Sequence, residues 1–231
     1  MPYVTRHGFG YTVFEHTEHG IYSELQVYVD WDASIKFSSL KVRNICGRPR
    51  RLSATGYVEW VLGDLRSKSG MHIITEIDQD SGAILARNPY NTEFPDRTAF
   101  FVVDDVVRNI SADRTEFVGR NGRLDTPAAM LHTKLSGKTG AALDPCGAIQ
   151  VAFTLDAGKE REIVFKLGLG RDKDDAQNLI RRFAGNNSSK NALENVWRNW
   201  GHILGAVQVE TPDQAFNMLA NGWLISVSYT H

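Results

Sequence analysis

The stretch RNPYNTEFPDR (87–97) joins two strand-like segments with residue types that suit sugar recognition. Planar amides and guanidinium groups hydrogen-bond hydroxyls, while aromatic faces cover apolar C–H patches; loops on rigid scaffolds carry such work. Arg87, Asn88, Tyr90, Asn91 and Arg97 are therefore the candidate substrate-binding set. The same residues also suit an ordered connector packed on a sheet edge or another subunit. Glu59, in GYVEWVLG, is flanked by Tyr57, Trp60 and Leu62. A partly buried carboxylate there needs a partner, and Arg50, Arg51 or Arg66 could supply one.

The remaining groups point away from catalysis. In EHTEH (15–19), His16 and His19 fall on opposite faces of a strand, and no third ligand sits at a recognised metal spacing. Asp78 with Asp80, and Asp104 with Asp105, could in principle act as paired carboxylates on a glycosidic bond. Their adjacency instead suits strand ends and turns. His72 and His132 are lone histidines on strand-like stretches and read as structural. There is no G-x-S-x-G, H-E-x-x-H or Walker loop, and Gly168-Leu-Gly170 lacks a third glycine. The sequence thus offers no catalytic set and no metal set.

These groups need elements to hold them. In ELQVYVDWD (24–32), Leu25, Val27, Val29 and Trp31 share one face, which predicts a strand buried on that side. Similar segments lie at 35–44, 55–62, 71–78, 82–88, 97–104, 148–158 and 161–170, and the last two read as a hairpin across residues 157–160. Many strands without intervening helices predict a mainly β, antiparallel packed sandwich. After Arg171 the pattern turns helical. Asp172 caps one helix, Arg181 and Arg182 lie near its end, and Gly185 closes it. AGNNSSKN (184–191) reads as a polar, mobile loop, and Leu193, Val196, Trp197 and Trp200 mark a second amphipathic helix. In the final segment Thr211 and Gln214 form a capping-box pattern with Pro212 at the first helical position. Phe216, Leu219, Ala220, Trp223, Leu224 and Val227 then form a stripe that calls for burial.

Composition bounds the partners. Over 231 residues the charge balance of 26 basic against 27 acidic residues gives a net charge of −1 and no footprint for nucleic acid. The two cysteines, Cys46 and Cys146, suit reduced thiols of a cytoplasmic protein rather than a disulfide scaffold or zinc site. No signal peptide is visible after Met1, and the longest apolar run, residues 99–103, is far short of the ~20 residues of a membrane helix.

Six stretches together resemble a known family: RHGFGYTVFEH (6–16), RRLSATGYVEWVLG (50–63), ARNPYNTEF (86–94), FVGRNGRLDTPAAM (117–130), LSGKTGAALDPCGAIQ (135–150) and TPDQAFNMLANGWL (211–224). In this order they resemble glycoside hydrolase family 94, formerly glycosyltransferase family 36. That family groups cellobiose and chitobiose phosphorylases with the phosphorylase-like region of cyclic β-1,2-glucan synthases. The resemblance implies a galactose-mutarotase-like antiparallel β-supersandwich, a C-terminal helical linker and an (α/α)6 barrel that holds the catalytic acid and the phosphate site. By that mapping residues 1–170 are sandwich, lacking its first part, residues 171–210 are linker, and residues 211–231 are the first helix of a barrel that does not follow.

Three functions follow from this. The resemblance implies a supporting part of an enzyme acting on β-glucan oligosaccharides or polysaccharides by inverting phosphorolysis or glucosyl transfer. Inorganic phosphate would be its co-substrate, it would need no cofactor, and the sandwich would contribute to a homodimer. Membrane attachment of such a synthase would lie in segments outside this sequence. The second reading is a stand-alone, non-catalytic carbohydrate-binding sandwich. The third is a truncated product whose apolar helix drives self-association.

Overall fold

The computed structural model describes residues 2–224. The chain begins with a meander of β1 (Val4–Gly8), β2 (Tyr11–Glu18), β3 (Ile21–Val29) and β4 (Ile35–Asn44), followed by β5 (Arg50–Glu59). Helix α1 (Arg66–Ser69) and a 3-10 turn (Gly70–His72) lead into β6 (Ile74–Ile77), β7 (Ile84–Arg87) and β8 (Thr98–Val103). Next come β9 (Arg108–Asp113), α2 (Arg114–Val118), β10 (Pro145–Leu155) and β11 (Glu160–Gly170). The helices α3 (Lys173–Arg182), α4 (Asn186–Gly205) and α5 (Gln214–Met218) close the described chain, the last running into a π-helical turn (Leu219–Trp223). Among the described residues no helix is long and apolar enough to cross a membrane.

The architecture is mainly β and antiparallel. Eight strands form one sheet in the order β1-β2-β3-β4-β11-β8-β7-β6, and β5-β10-β9 form a smaller one. The large sheet is covered on both faces. Phe101, Val103, Ile163 and Phe165 face the small sheet's Ala54, Ile110, Ile149 and Val151. On the other face Tyr28, Phe37, Phe100, Val102 and Val164 pack under Ala176 and Ile180 of α3, Phe183, and Leu193 of α4. Every residue of β8, TAFFVV, is accordingly buried. A strand sandwiched on both sides loses the polar half of its alternation.

The structure corrects several expectations. β10 and β11 are not a hairpin: β10 pairs with β5 and β9, whereas β11 pairs with β4 and β8. The tight turn between them, with Gly158 at φ +72°, carries the chain from one sheet to the other. Asn44 holds this corner. Its backbone exchanges hydrogen bonds with Gly158 and Lys159, and its buried amide donates to the carbonyls of Leu155 (2.9 Å) and Arg48 (2.8 Å). Its Oδ1 accepts from Cys46 N at 3.0 Å, so the side chain is satisfied without water.

On β3 the buried residue is Tyr28, while Val29 is 54% and Trp31 43% exposed. The reason is that α4 covers the opposite face: the Tyr28 hydroxyl donates to the Ser189 carbonyl at 2.7 Å, and its ring stacks on Phe37. The stretch read as a loop at 184–191 is helical from Asn186, with Gly185 at φ +81° as its N-cap rather than as the closure of α3. Ser188 Oγ donates back to the carbonyls of Phe183 and Gly185, bridging α3 and α4. Asp172 does cap α3, accepting from Asp175 N at 2.8 Å. In the last helix Asp213, not Thr211, is the cap, accepting from Ala215 N and Phe216 N. Thr211 is instead engaged by Asn217, whose Nδ2 donates to its carbonyl and whose Oδ1 accepts from its N–H. Phe216 (48% exposed) and Leu219 (41%) stay open, and Val227 lies outside the described residues.

Candidate functional site

Two connections meet at one end of the sandwich, and the cleft between them encloses about 810 Å3. One is the 62–72 segment after β5; the other is the loop from β7 to β8 at 88–97. Leu62 adopts a positive φ of +40°, a left-handed conformation that costs a branched side chain energy. The facing loop holds it there: Asn88 Nδ2 donates to the Leu62 carbonyl at 2.9 Å, and Asn91 Nδ2 approaches the same oxygen at 3.4 Å. Both amide oxygens turn inward as well. Asn88 Oδ1 accepts from Tyr90 N, and Asn91 Oδ1 accepts from Glu93 N and Phe94 N.

The five sequence-nominated residues therefore separate by role. Asn88 and Asn91 shape the loop and spend their amides on backbone. Arg87 sits exposed at the end of β7 and is not part of the cleft wall. Tyr90 and Arg97 line the cleft together with Asn88 and Asn91. Tyr90 is 71% exposed, yet its ring is fixed by stacking on His72, 4.2 Å between centroids and 15° between planes. The Arg97 guanidinium lies 5.8 Å from the centre of the Phe94 ring. His72, which reads as a structural residue on a strand, instead lies in the 3-10 turn and forms half of an aromatic platform. Asp64 and Lys68 complete the wall from the 62–72 segment. The sequence signal for them was the Gly63-Asp64 pair, a turn signature that ends the strand pattern begun at β5.

Several charged groups outside the cleft are committed to structure. Glu59 pairs with Arg66 and accepts from Arg114 Nε and the Tyr57 hydroxyl, both at 2.8 Å. Asp144 pairs with Arg66 and lies 3.7 Å from Arg114, closing a four-charge network. Burial pushes the Glu59 carboxyl up, but the Arg114 and Tyr57 hydrogen bonds and the Arg66 charge outweigh it and hold it below its usual range. Arg66 is thus the expected partner. Arg50 instead donates to the His19 carbonyl at 2.8 Å. Asp104 pairs with Lys166, Asp105 with Arg161, and Asp78 accepts from Ser81 N and Gln177 Nε2. Both cysteines are free thiols. Among the described residues no group of three or more His, Cys, Asp or Glu side chains is placed to hold a metal ion. His132 is exposed in the long loop before β10 rather than on a strand.

What this arrangement offers is recognition: an aromatic platform, two carboxylates and two basic groups around a preformed cleft. Comparison with known proteins bears on what the scaffold is. The chain is 36% identical over 221 residues to the cyclic beta-(1,2)-glucan synthase NdvB of Rhizobium meliloti (strain 1021), a match covering 95% of this chain and 8% of that one. It is 23% identical to the N,N'-diacetylchitobiose phosphorylase of Vibrio furnissii, across 96% of this chain and 28% of the relative. The chain thus spans a small part of the length of the curated relatives it matches. Among solved structures, a bacterial glucoamylase complexed with acarbose aligns with a TM-score of 0.52 at 9% identity, covering 87% of this chain and 29% of that one, a likeness of fold alone. Residues 1–186 match the family described as the glycosyl hydrolase 94 supersandwich domain, and the chain belongs to this family.

Proposed function

We propose that this chain is the sandwich and linker of a glycoside phosphorylase or cyclic β-1,2-glucan synthase, supporting a catalytic barrel that acts on β-glucans. In this division residues 1–170 are sandwich, 171–210 linker and 211–231 the opening helix of the barrel. The chemistry would be inverting phosphorolysis, with inorganic phosphate attacking the anomeric carbon while a carboxylic acid protonates the leaving oxygen, or the related glucosyl transfer. Both the acid and the phosphate site would belong to the barrel. The whole would work in the cytoplasm, with a second copy as a partner. The observation that carries this reading is the 36% identity to the synthase across nearly the entire chain.

A chimaera tests it. This chain replaces the matching segment of the Rhizobium meliloti synthase, and glucan synthesis is measured. Retained synthesis is expected, while the isolated chain should release no glucose 1-phosphate from β-1,2-glucan and phosphate. A folded but inactive chimaera, or release by the chain alone, counts against the proposal. The second reading, a stand-alone carbohydrate-binding sandwich, draws on the preformed cleft and its stacked platform.

A further inference from the structure

We propose that Asn121 is a site of spontaneous covalent modification, deamidation to aspartate and isoaspartate, and that the fold protects the other Asn-Gly pair, Asn221-Gly222, from the same reaction. The chain holds two such pairs, in GRNGRL (119–124) and LANGWL (219–224). In each, the glycine amide nitrogen, giving up its proton to hydroxide, can attack the asparagine side-chain carbonyl carbon. A C–N bond forms, the side-chain nitrogen takes up a proton and leaves as ammonia, and water opens the resulting succinimide at either carbonyl. Glycine favours the attack because it has no side chain to hinder the approach. Sequence alone therefore gives both pairs the same reactivity.

The structure separates them. Asn121 is exposed in the turn after α2, and its amide makes no hydrogen bond to another described residue. Arg120 and Gly122 are exposed as well, and the Gly122 N–H is held by one bond, to the Gly119 carbonyl at 3.2 Å. An exposed turn closed by one bond opens readily, which frees both reacting groups. The glycine is also required there, because a Cβ at position 122 would collide with the Val118 carbonyl oxygen. Asn221 is the opposite case. Its Nδ2 donates to the Val209 carbonyl at 2.8 Å and its Oδ1 accepts from Val209 N at 2.7 Å, so both ends of the amide are taken. Gly222 is buried in the π-helical turn beneath the Phe9 ring. Ring closure at this pair would break both bonds to Val209 and distort the helical backbone. Conversion of Asn121 adds one acid, so 27 acidic residues become 28 against 26 basic and the net charge moves from −1 to −2. Its isoaspartate form lengthens the main chain by a methylene just before the Arg123–Thr126 bridge.

The test incubates the 231-residue chain at pH 9, folded and in guanidinium chloride, and follows both asparagines by peptide mapping with mass spectrometry. In the folded chain Asn121 should convert about ten-fold or more faster than Asn221, because the Asn221 reaction must wait for its hydrogen bonds to Val209 to open. In denaturant the two rates should become comparable, since the local sequence is then all that acts. On ion exchange a more acidic species should appear at the rate of Asn121 conversion. It should be missing from Asn121→Gln, whose longer side chain closes a ring far more slowly and whose exposed position makes the substitution neutral for folding. Asn121 left intact in the folded chain, equal conversion of both asparagines there, an Asn221 that stays slow in denaturant, or an acidic species undiminished in Asn121→Gln overturns the proposal.

Discussion

Lys166, in the middle of the large sheet, donates its ammonium to the carbonyl of Phe183 at the C-terminus of α3, at 2.6 Å. The same group pairs with Asp104, which also accepts from Gly185 N at 3.0 Å. One buried lysine thereby fastens the α3–α4 junction to the strands. Burial depresses its pKa, and the Asp104 partner opposes that shift. Lys166→Met would strip the Asp104 carboxylate of its cation and the Phe183 carbonyl of one of its two donors, a loss of about 3 kcal/mol. A urea-denaturation midpoint should fall accordingly, and Lys166→Met combined with Asp104→Asn should recover part of the loss. An unchanged midpoint would show that the latch is idle.

Asn44 fixes the corner where the chain changes sheets, and five hydrogen-bonding groups depend on its side chain and backbone. Asn44→Ala strips the amide and leaves two carbonyls and one N–H without a protein partner, at about 2–4 kcal/mol. Asn44→Asp should cost a similar amount, because a carboxylate cannot donate to the Leu155 and Arg48 carbonyls. Equilibrium unfolding of both variants checks this, and a cost below about 0.5 kcal/mol would contradict it.

Acid sensitivity should track the Glu59 network. Its carboxyl is held below the ordinary value of 4.5 in the folded chain. The unfolded chain then binds more protons in the interval below that value, so stability is full above it and falls as pH drops through the folded pKa. Asp78 and Glu116 shift in the same direction and add to the slope. Arg114→Gln should therefore lower stability at pH 7 and flatten, without abolishing, its decline between pH 5 and 3. A slope equal to that of the unsubstituted chain would assign the acid response elsewhere.

Much of the scaffold was legible because its signals are local. Asp172, the acidic first turn and the basic last turn of α3 all act within one helix, and the strand at 35–44 matches β4 to the residue. What failed depended on the far side of the sheet. Val29 and Trp31 satisfy the alternation of a buried face, yet Tyr28 is the buried residue because α4, 161 positions away, supplies its hydrogen-bond partner. The turn at 157–160 looks the same in sequence whether its strands pair or part, and Asn44 makes them part. The candidate site was half legible for a related reason. RNPYNTEFPDR announces a polar, aromatic loop, but whether an asparagine faces a ligand or its own backbone depends on Leu62, 26 residues from Asn88. His72 became relevant only through its stack on Tyr90.

The two thiols should differ in reactivity. Cys146 is buried, and burial first, then Asp113 and Asp144, push its thiol up to about 12. Cys46 is half-buried near the surface, where its Sγ lies 3.3 Å from an Arg50 guanidinium nitrogen. A thiolate-selective reagent at pH 8 should modify Cys46 alone in the folded chain and both cysteines in denaturant. Rapid native labelling of Cys146 would mean that the small sheet opens.

The apolar face of the last helix separates folding from assembly. Phe216 and Leu219 are 48% and 41% exposed, so they contribute little to the fold described here. The turn beneath them is held from elsewhere: the ring of Phe9, from the β1–β2 turn, sits where a side chain on Gly222 would go, 2.6 Å from that Cβ position. Phe9 in turn packs on Trp200 of α4, 5.9 Å between ring centres. Phe216→Ser with Leu219→Ser should therefore lower the unfolding free energy of the isolated chain by no more than about 0.5 kcal/mol. Within the chimaeric synthase the same pair should reduce glucan synthesis, because the rest of the barrel would lose its apolar contacts with this opening helix. Unaltered synthesis would count against a barrel packed on this face, and a large loss of stability in the isolated chain would mean that these side chains are covered in solution.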